Sequence, residues 1–240
     1  MIRHGHGRQS GWRAVVIAWC AAVASGAEPQ PVPGDVDLAN SRVYVFVGKS
    51  GLGHDHAVIG SLQAGRIELG APERAGLIVF NMRSFLADTA DARRVLGLPG
   101  ETAPDTQQQV TDNMLGPAVL DVNRHPTAAF ELSSALPAAQ PAPNGRPCYD
   151  LVGSFTLHGV TRPVSLRVEA EPVGPLVRLS GGFTIKQTDF GMKPFAKFGG
   201  VVGVADELRI YGDIRLLAAG LSPPPPAPAQ PPTSLSTTPR

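Results

Sequence analysis

The stretch "ELRIYGDIRL", residues 207–216, alternates apolar and polar side chains more clearly than any other part of the chain. Its large apolar side chains share one parity, at positions Leu208, Ile210, Ile214 and Leu216. Successive side chains of a β-strand point to opposite faces, so this period of two predicts a strand with one buried face and one wet face. A strand of this kind favours an antiparallel sheet, because parallel sheets are usually covered on both faces.

The same alternation recurs along the chain, in "RVYVFV" (42–47), "VSLRVE" (164–169) and "VRLSGGFTIK" (177–186). Shorter strand candidates lie at 57–62, 66–69, 77–82, 128–132 and 149–157. Helical character is confined to residues 89–114, where "LGLPGETAP" divides it into two short pieces. About eight or nine one-sided strands with little helix predict an antiparallel sheet that curls over its apolar face. Closing it into a barrel would remove its exposed edges. A two-sheet sandwich is the structural alternative.

One hairpin sequence, "GSFTLHGVTRPVSLRVE" (153–169), resembles the signature strand-turn-strand of the YceI-like family of exported lipid-binding proteins. Other segments agree in the family's order: "SRVYVFVGKSGLGHDHAVIGSL" (41–62), "FNMRSFLADTADAR" (80–93), "NMLGPAVLDVNRHPTAAFELSS" (113–134), "GGFTIKQTDFGM" (181–192) and "VADELRIYGDIRL" (204–216). The resemblance covers essentially all of residues 35–217.

The resemblance implies an all-β fold, a lipocalin-like antiparallel β-barrel of about eight strands with a short helical excursion. It also implies an elongated apolar cavity for a long-chain isoprenoid or a similar fatty amphiphile. Such proteins are generally periplasmic and non-enzymatic, so we expect a binding protein for carriage or buffering, without a cofactor. Elementary physics agrees, because a barrel of about eight strands has room inside for side chains or one slender ligand. Each buried CH₂ of that ligand contributes about 0.8 kcal/mol.

The two ends of the chain differ in composition from its middle. Residues 1–27 combine three arginines with the apolar run Ala14–Ala24 and small residues after it, which is typical of a secretory signal peptide; an N-terminal membrane anchor is the alternative. Residues 219–240 are rich in proline and predict a disordered tail. The family domain is then expected at 35–218. After processing, the protein is expected to be periplasmic or secreted, with no integral membrane segment.

Composition narrows the classes of partner. The net charge of +1 gives no electrostatic reason to expect nucleic acid. Removal of the signal peptide leaves Cys148 as the single cysteine, placed by the sequence in a loop, so an internal disulfide cannot form. A homodimer is compatible with the sequence.

Alternation also predicts which side chains line the cavity or pack its base. The candidates face inward from several strands: Val45, Val79, Phe130, Phe155, Leu157, Phe183, Ile185 and Ile210. The pattern does not separate residues that line a tunnel from residues that pack solidly.

The tripeptide His54-Asp55-His56 is the densest cluster of chemically active side chains. On a strand the two imidazoles share a face, where they could contact a ligand headgroup at the barrel mouth or simply lie solvated at a strand start. A metal site is disfavoured, because zinc usually takes three or four protein ligands and no further cluster is evident. The alternative function is a periplasmic metal-dependent enzyme using His54 and His56. Farther along, "KPFAKFGG" (193–200) reads as a solvated loop or as a mobile flap over the cavity mouth.

Overall fold

Eleven β-strands form one sheet in the computed structural model, which describes residues 31–218, and every strand pair in it is antiparallel. The strands, in chain order, are β1 (Arg42–Gly51), β2 (His56–Gly60), β3 (Leu62–Ile67), β4 (Gly76–Asn81), β5 (Leu86–Ala87), β6 (Thr127–Pro137), β7 (Cys148–Leu157), β8 (Val160–Val173), β9 (Leu176–Lys186), β10 (Ala196–Lys197) and β11 (Val202–Leu217). Both β5 and β10 have two residues, which leaves nine longer strands.

The sheet curls, and the segment before β1 bridges two strands that are far apart in its order. Its order is β3-β4-β6-β7-β8-β9-β11-β1-β2-β5, with β10 on β11. The segment before β1 then links two distant strands, since Asp35 bridges to Arg66 of β3 and Val36 bridges to Leu216 of β11. The predicted antiparallel, lipocalin-like sheet is therefore confirmed, and the two-sheet sandwich is not the architecture of the described residues.

The concave face of the sheet carries the hydrophobic core. Leu208, Ile210, Ile214 and Leu216 of β11 all belong to this core or pack against it, as their alternation predicts. The valines of β1 do the same, as do Leu179 and Ile185 of β9. Arg178 and Asp213 lie on the other face, where they form an ion pair across β9 and β11 with a nitrogen–oxygen distance of 2.7 Å.

Two helices form the predicted excursion between β5 and β6. Helix α1 spans Ala90–Val95, and its N-cap Thr89 accepts a hydrogen bond from the Ala92 N–H. Helix α2 spans Pro104–Leu115 and begins with proline at its first position, where the missing N–H leaves no partner unsatisfied. Neither helix of the described residues is long and apolar enough to cross a bilayer.

The turn between β7 and β8 is short, because β8 starts at Val160 and only His158 and Gly159 turn the chain. Both have positive φ, 52° and 76°, which is the two-residue hairpin geometry that matches strand twist. Cys148 does not lie in a loop, since it is the first residue of β7 and is buried. The predicted signal peptide and proline-rich tail fall outside the described residues.

Candidate functional site

An apolar cavity of about 160 Å³ lies inside the curled sheet. Strands β1 and β11 contribute three residues each to its wall, and α2 covers one side with Val110, Asn113 and Met114. Three polar side chains interrupt this apolar lining: His56, Asn113 and Gln187. A few polar groups in an apolar wall are typical of sites that orient a ligand by one end and bury the rest.

A second cavity of about 50 Å³ lies farther along the inside of the sheet. It is apolar and shares three wall residues with the first cavity, namely Val43, Phe80 and Ile210. Aromatic rings fill the space between them. Phe155 packs edge-to-face against Phe80 and Phe183, with ring centroids 6.0 and 5.5 Å apart. The two cavities are therefore separated by side chains and not by backbone.

The structure sorts the predicted lining residues into three groups. The larger cavity is lined by Val45, Phe155, Leu157, Ile185 and Ile210. The smaller cavity is lined by Phe130 and Phe183, and also by Ile210. Val79 lines neither, because Ile78 and Phe80 take the inward positions of β4 and leave Val79 on the opposite face. The prediction failed there because the run "LIVF" is apolar at every position, so its pattern does not show which side chains face inward.

Several wall residues could not be found from alternation. Met82 and Phe85 lie in and next to a short 3₁₀ helix, and Val119 and Leu120 lie in the loop after α2. Alternation applies only to strands, so it gives no signal in these segments. Helix α2 is mostly polar in sequence, and its contribution depends on three side chains, Val110, Asn113 and Met114.

The two predicted histidines lie close together but differ in environment. His56 opens β2 opposite Val47 of β1, lines the larger cavity and is 16% exposed. His54 precedes the strand, is 52% exposed and does not line that cavity. Their rings are 4.5 Å apart between centroids. Only His56 is thus placed to contact a molecule in the cavity.

Asp88 is the functional candidate that the sequence reasoning missed. Its side chain is fully buried, and its Oδ2 lies 2.6 Å from Nδ1 of His56. Its Oδ1 accepts hydrogen bonds from the Ala57 N–H and from the Arg93 guanidinium, both at 3.0 Å. Arg93 is itself held by the carbonyl oxygens of Pro99 and Gly100. A buried charge of this kind persists only when it is paired and hydrogen-bonded.

The local backbone explains how Asp88 reaches His56. Asp88 follows the two-residue strand β5, has a φ of 55°, and donates its N–H to the Ala57 carbonyl at 2.6 Å. This left-handed conformation is uncommon outside glycine, although aspartate and asparagine tolerate it better than most residues. Burial by itself raises the pKa of the Asp88 carboxyl, but hydrogen bonds from His56, Ala57 and Arg93 outweigh burial and leave that pKa below its usual value.

The His54–His56–Asp88 cluster has the composition of a metal site, since one ligand atom from each residue lies within 4.8 Å of the others. Its geometry is that of a hydrogen bond instead. Any two ligand atoms of a tetrahedral zinc site stand about 3.3 Å apart when the bonds to zinc are about 2.0 Å long. Nδ1 of His56 and Oδ2 of Asp88 are only 2.6 Å apart. Arg93 adds a positive charge at the other carboxylate oxygen. This arrangement favours an oriented imidazole over a cation site.

The segment 193–200 lies beside the cavity, as the flap interpretation requires. Phe195 lines the cavity wall, and β10 pairs Ala196 with Gly203 at the start of β11. The next aromatic residue, Phe198, points away and is 81% exposed. The two phenylalanines of this segment therefore face different surroundings, one inside the cavity and one in solvent.

Comparisons with known proteins agree with this architecture. The family model described as YceI-like domain matches residues 35–216. Burkholderia cenocepacia BcnA has a similar structure, at 18% identity, with a TM-score of 0.50 and coverage of 75% of this chain and 99% of that one. A polyisoprenoid binding domain from Saccharophagus degradans, implicated in plant cell wall breakdown, is similar at 13% identity, with a TM-score of 0.54 and coverage of 78% and 99%. At such identities these structures show a shared fold alone. None of the curated proteins matches the chain.

Proposed function

This chain belongs to the YceI-like family, and we propose that it is an exported, non-enzymatic protein that holds a long-chain isoprenoid or a similar amphiphile in its apolar cavity. The observation that carries the proposal is the larger cavity, which is apolar apart from three polar side chains. The polyisoprenoid-binding domain that shares this fold supports the choice of ligand.

The energetics of the cavity suit an aliphatic chain. Each CH₂ that leaves water contributes about 0.8 kcal/mol, so the length of the chain provides affinity without any charged contact. A cavity of about 160 Å³ is close to the size of an engineered cavity of about 150 Å³ that accepts one benzene. A long chain therefore needs more room than the larger cavity alone, and the second cavity of about 50 Å³ adjoins it through shared wall residues.

The direct experiment is native mass spectrometry of the protein purified from its own host, followed by lipid analysis of its organic extract. We expect a bound species of isoprenoid or fatty character at near one per chain. Intact mass of the exported protein would also test the location, since cleavage of the signal peptide predicts an N-terminus between Ser25 and Glu28. A protein that retains residues 1–24 in a membrane fraction would contradict the exported, soluble state.

A pair of tryptophan substitutions provides a matched test of the cavity. Val45→Trp fills the larger cavity, whereas Val79→Trp adds the same side chain to the opposite face of the sheet. We expect Val45→Trp to abolish uptake of a long-chain isoprenoid alcohol without unfolding the protein, and Val79→Trp to bind as the unmodified protein does. Equal binding by both folded variants would contradict a ligand site in this cavity.

The competing function, a metal-dependent enzyme, rests on the His54–His56–Asp88 cluster. Metal analysis of protein purified without chelators separates the two functions. We expect no stoichiometric zinc or copper in the unmodified protein or in the double variant His54→Ala, His56→Ala. One metal ion per chain that disappears in the double variant would favour the enzyme.

A further inference from the structure

The free ring nitrogen of His56 is a polar atom at an apolar cavity. Nδ1 of His56 forms a hydrogen bond with Oδ2 of Asp88 at 2.6 Å, and no described residue forms a hydrogen bond with Nε2. Because His56 lines the cavity and its side chain is mostly buried, Nε2 is the ring nitrogen left for a ligand. What this atom can bind depends on whether it carries the hydrogen.

The surroundings of Asp88 decide the tautomer. Oδ1 of Asp88 accepts from Ala57 and Arg93, and an ionised carboxylate can only accept hydrogen bonds. The short contact at Oδ2 therefore requires that Nδ1 of His56 donate. In a neutral imidazole the other nitrogen is then an acceptor. The charge of Asp88 is already opposed by Arg93, so the cluster does not require a second positive charge on His56.

A second wall residue points to the same chemistry. The Gln187 side-chain Nε2 donates to the Ala205 carbonyl at 2.7 Å. Its Oε1, which is an acceptor, has no hydrogen-bond partner among residues 31–218, and Gln187 is buried at the cavity. Two of the three polar side chains that line the cavity thus each carry an acceptor without a partner among the described residues, while the third, Asn113, carries both an acceptor and donors.

We propose that the cavity selects amphiphiles whose polar end donates a hydrogen bond, such as an alcohol or a phenol, with His56 as the receiving group and Asp88 as its positioning residue. An ionised carboxylate or phosphate is disfavoured, because it offers only acceptors to an acceptor and would lose its hydration on entry. The inference rests on the proposed function, since it names the headgroup of the ligand that the cavity is proposed to hold.

The test compares two probes that share one chain, geranylgeraniol and geranylgeranoic acid, at pH 8. A carboxylic acid is ionised at that pH, while histidine is ordinarily neutral. One hydrogen bond gained or lost is a factor of about three to ten in affinity, so we expect the alcohol to bind about tenfold more tightly than the acid. Nitrogen chemical shifts of His56 should independently show the proton on Nδ1.

The variant Asp88→Asn reverses the donor pattern with almost no change in shape. The amide oxygen can keep the contacts of Oδ1 with Ala57 and Arg93, and the amide nitrogen then donates to Nδ1 of His56. The ring proton must move to Nε2, as happens when the aspartate of a catalytic triad is replaced in the same way. We expect the preference for the alcohol to vanish or invert. The control His54→Gln should keep it, because Nε2 of His54 lies 3.7 Å from Asp88, beyond hydrogen-bond distance.

The possible results separate the two proposals. If neither probe binds the unmodified protein, lipid binding itself is wrong, and the headgroup inference fails with it. If both probes bind equally well, or if the proton of His56 lies on Nε2, the headgroup inference alone is wrong. Should the Asp88→Asn protein not fold, the affinities and the nitrogen shifts of the unmodified protein still decide between these outcomes.

A different observation, at the surface, supports a second inference. Three large apolar side chains form an apolar tip where β1 ends and β11 begins: Leu52, Phe198 and Val201, which are 68%, 81% and 53% exposed. A backbone hydrogen bond holds Leu52 and Val201 together, since the Leu52 N–H donates to the Val201 carbonyl at 2.9 Å. Phe198 has a φ of 53°, a left-handed conformation that is strained for a bulky residue.

Two lysines and one aspartate flank the apolar tip, and the Asp55 carboxylate accepts a hydrogen bond from the Lys49 backbone N–H at 2.9 Å. Lys197 directly precedes Phe198, and Lys49 lies opposite Val204 in the β1–β11 pairing. Neither forms a salt bridge with a described residue. The first acidic residues of β11, Asp206 and Glu207, lie farther along the strand. Apolar side chains flanked by cations suit a membrane interface that carries anionic lipids.

We infer that the apolar tip docks on an anionic bilayer surface, beside the cavity wall formed by Phe195 and Val204. The mature protein should cosediment with vesicles of phosphatidylethanolamine and phosphatidylglycerol. The double variant Leu52→Ser, Phe198→Ser should lose about tenfold or more of this binding, because two large side chains no longer leave water. Val173→Ser is the matched control, since Val173 is 42% exposed and pairs with Leu176 at the opposite end of β9.

Lys197→Glu should weaken binding to these anionic vesicles by about fivefold or more, since each basic residue near such a surface adds to the attraction. Equal sedimentation of the tip variant and the Val173→Ser control would overturn the inference. So would a tip variant that turns a dimer into a monomer in the absence of vesicles, because a second copy of the chain would then be the partner of the tip.

Discussion

At Asp88, three hydrogen-bond donors, two from β2 and one from α1, converge on one carboxylate. The pKa of this carboxyl is lower in the folded protein than in an unfolded chain, because His56, Ala57 and Arg93 together outweigh the opposing effect of burial. A group of this kind stabilises the folded state above its unfolded pKa of about 4, and the contribution is lost as the pH falls through the folded pKa.

This sign gives a prediction for acid unfolding. We expect the unmodified protein to lose more free energy of unfolding between pH 5 and pH 3 than Asp88→Asn loses, since the amide has no proton to take up in that range. Urea titrations of both proteins at the two pH values measure the difference. The exposed carboxylates of the chain titrate equally in both proteins, so their contributions cancel in the comparison. An equal loss in both proteins would show that folding does not lower the pKa of the Asp88 carboxyl.

At the scale of elements, the β7–β8 hairpin depends on a turn of two residues. Gly159 has a φ of 76°, and a Cβ placed there would lie 3.0 Å from Cε1 of His125. The turn is held from the other side by His158, whose Nδ1 lies 3.3 Å from the Phe190 carbonyl oxygen. The signature hairpin is thus anchored by two separate loops of the chain.

Two glycine substitutions test this anchoring. Gly174, in the β8–β9 turn, has a φ of 58° and no neighbouring atom within 4 Å of a new Cβ. We expect Gly174→Ala to cost about 1 kcal/mol from backbone strain alone. Gly159→Ala should cost more, because His125 must also move. Chemical denaturation of both variants measures the loss in free energy of unfolding. A smaller loss at Gly159 than at Gly174 would show that the His125 side chain moves aside without an energetic penalty.

At the scale of the whole molecule, the partition between the two cavities should control the length of the bound chain. Phe80 lines both cavities and packs against Phe155. We expect Phe80→Leu to join the two spaces and to shift binding toward longer isoprenoid alcohols. The substitution should also lower the free energy of unfolding, by less than the 3–5 kcal/mol that a buried phenylalanine loses on truncation to alanine.

A series of alcohols of 10, 15, 20 and 30 carbons measures this shift, with affinities compared between the variant and the unmodified protein. Ile67→Val is the control, because Ile67 lines only the smaller cavity and the change leaves the partition in place. An unchanged optimum length in Phe80→Leu would mean that the chain does not pass Phe80.

Much of this protein could be determined from the sequence by itself. The period of two in β1, β9 and β11 is a local property, because neighbouring side chains of a strand point to opposite faces whatever the rest of the chain does. The polar breaks and the short helical segment are local in the same sense, so the curled antiparallel sheet and the two helices were predictable. Five of the eight predicted lining residues reach the larger cavity for that reason.

Only the tertiary structure decided the rest, because the remaining features depend on contacts between distant residues. Asp88 meets His56 across 32 positions of sequence, through the pairing of β2 with β5, so its role had no local signal. The orientation of Val79 depended on which face of an all-apolar run the curled sheet enclosed. Phe195 and Phe198 are alike in sequence, but the short β10 pairing directs one into the cavity and leaves the other in solvent. Periodicity specifies that a strand has two faces, and only packing specifies what each face meets.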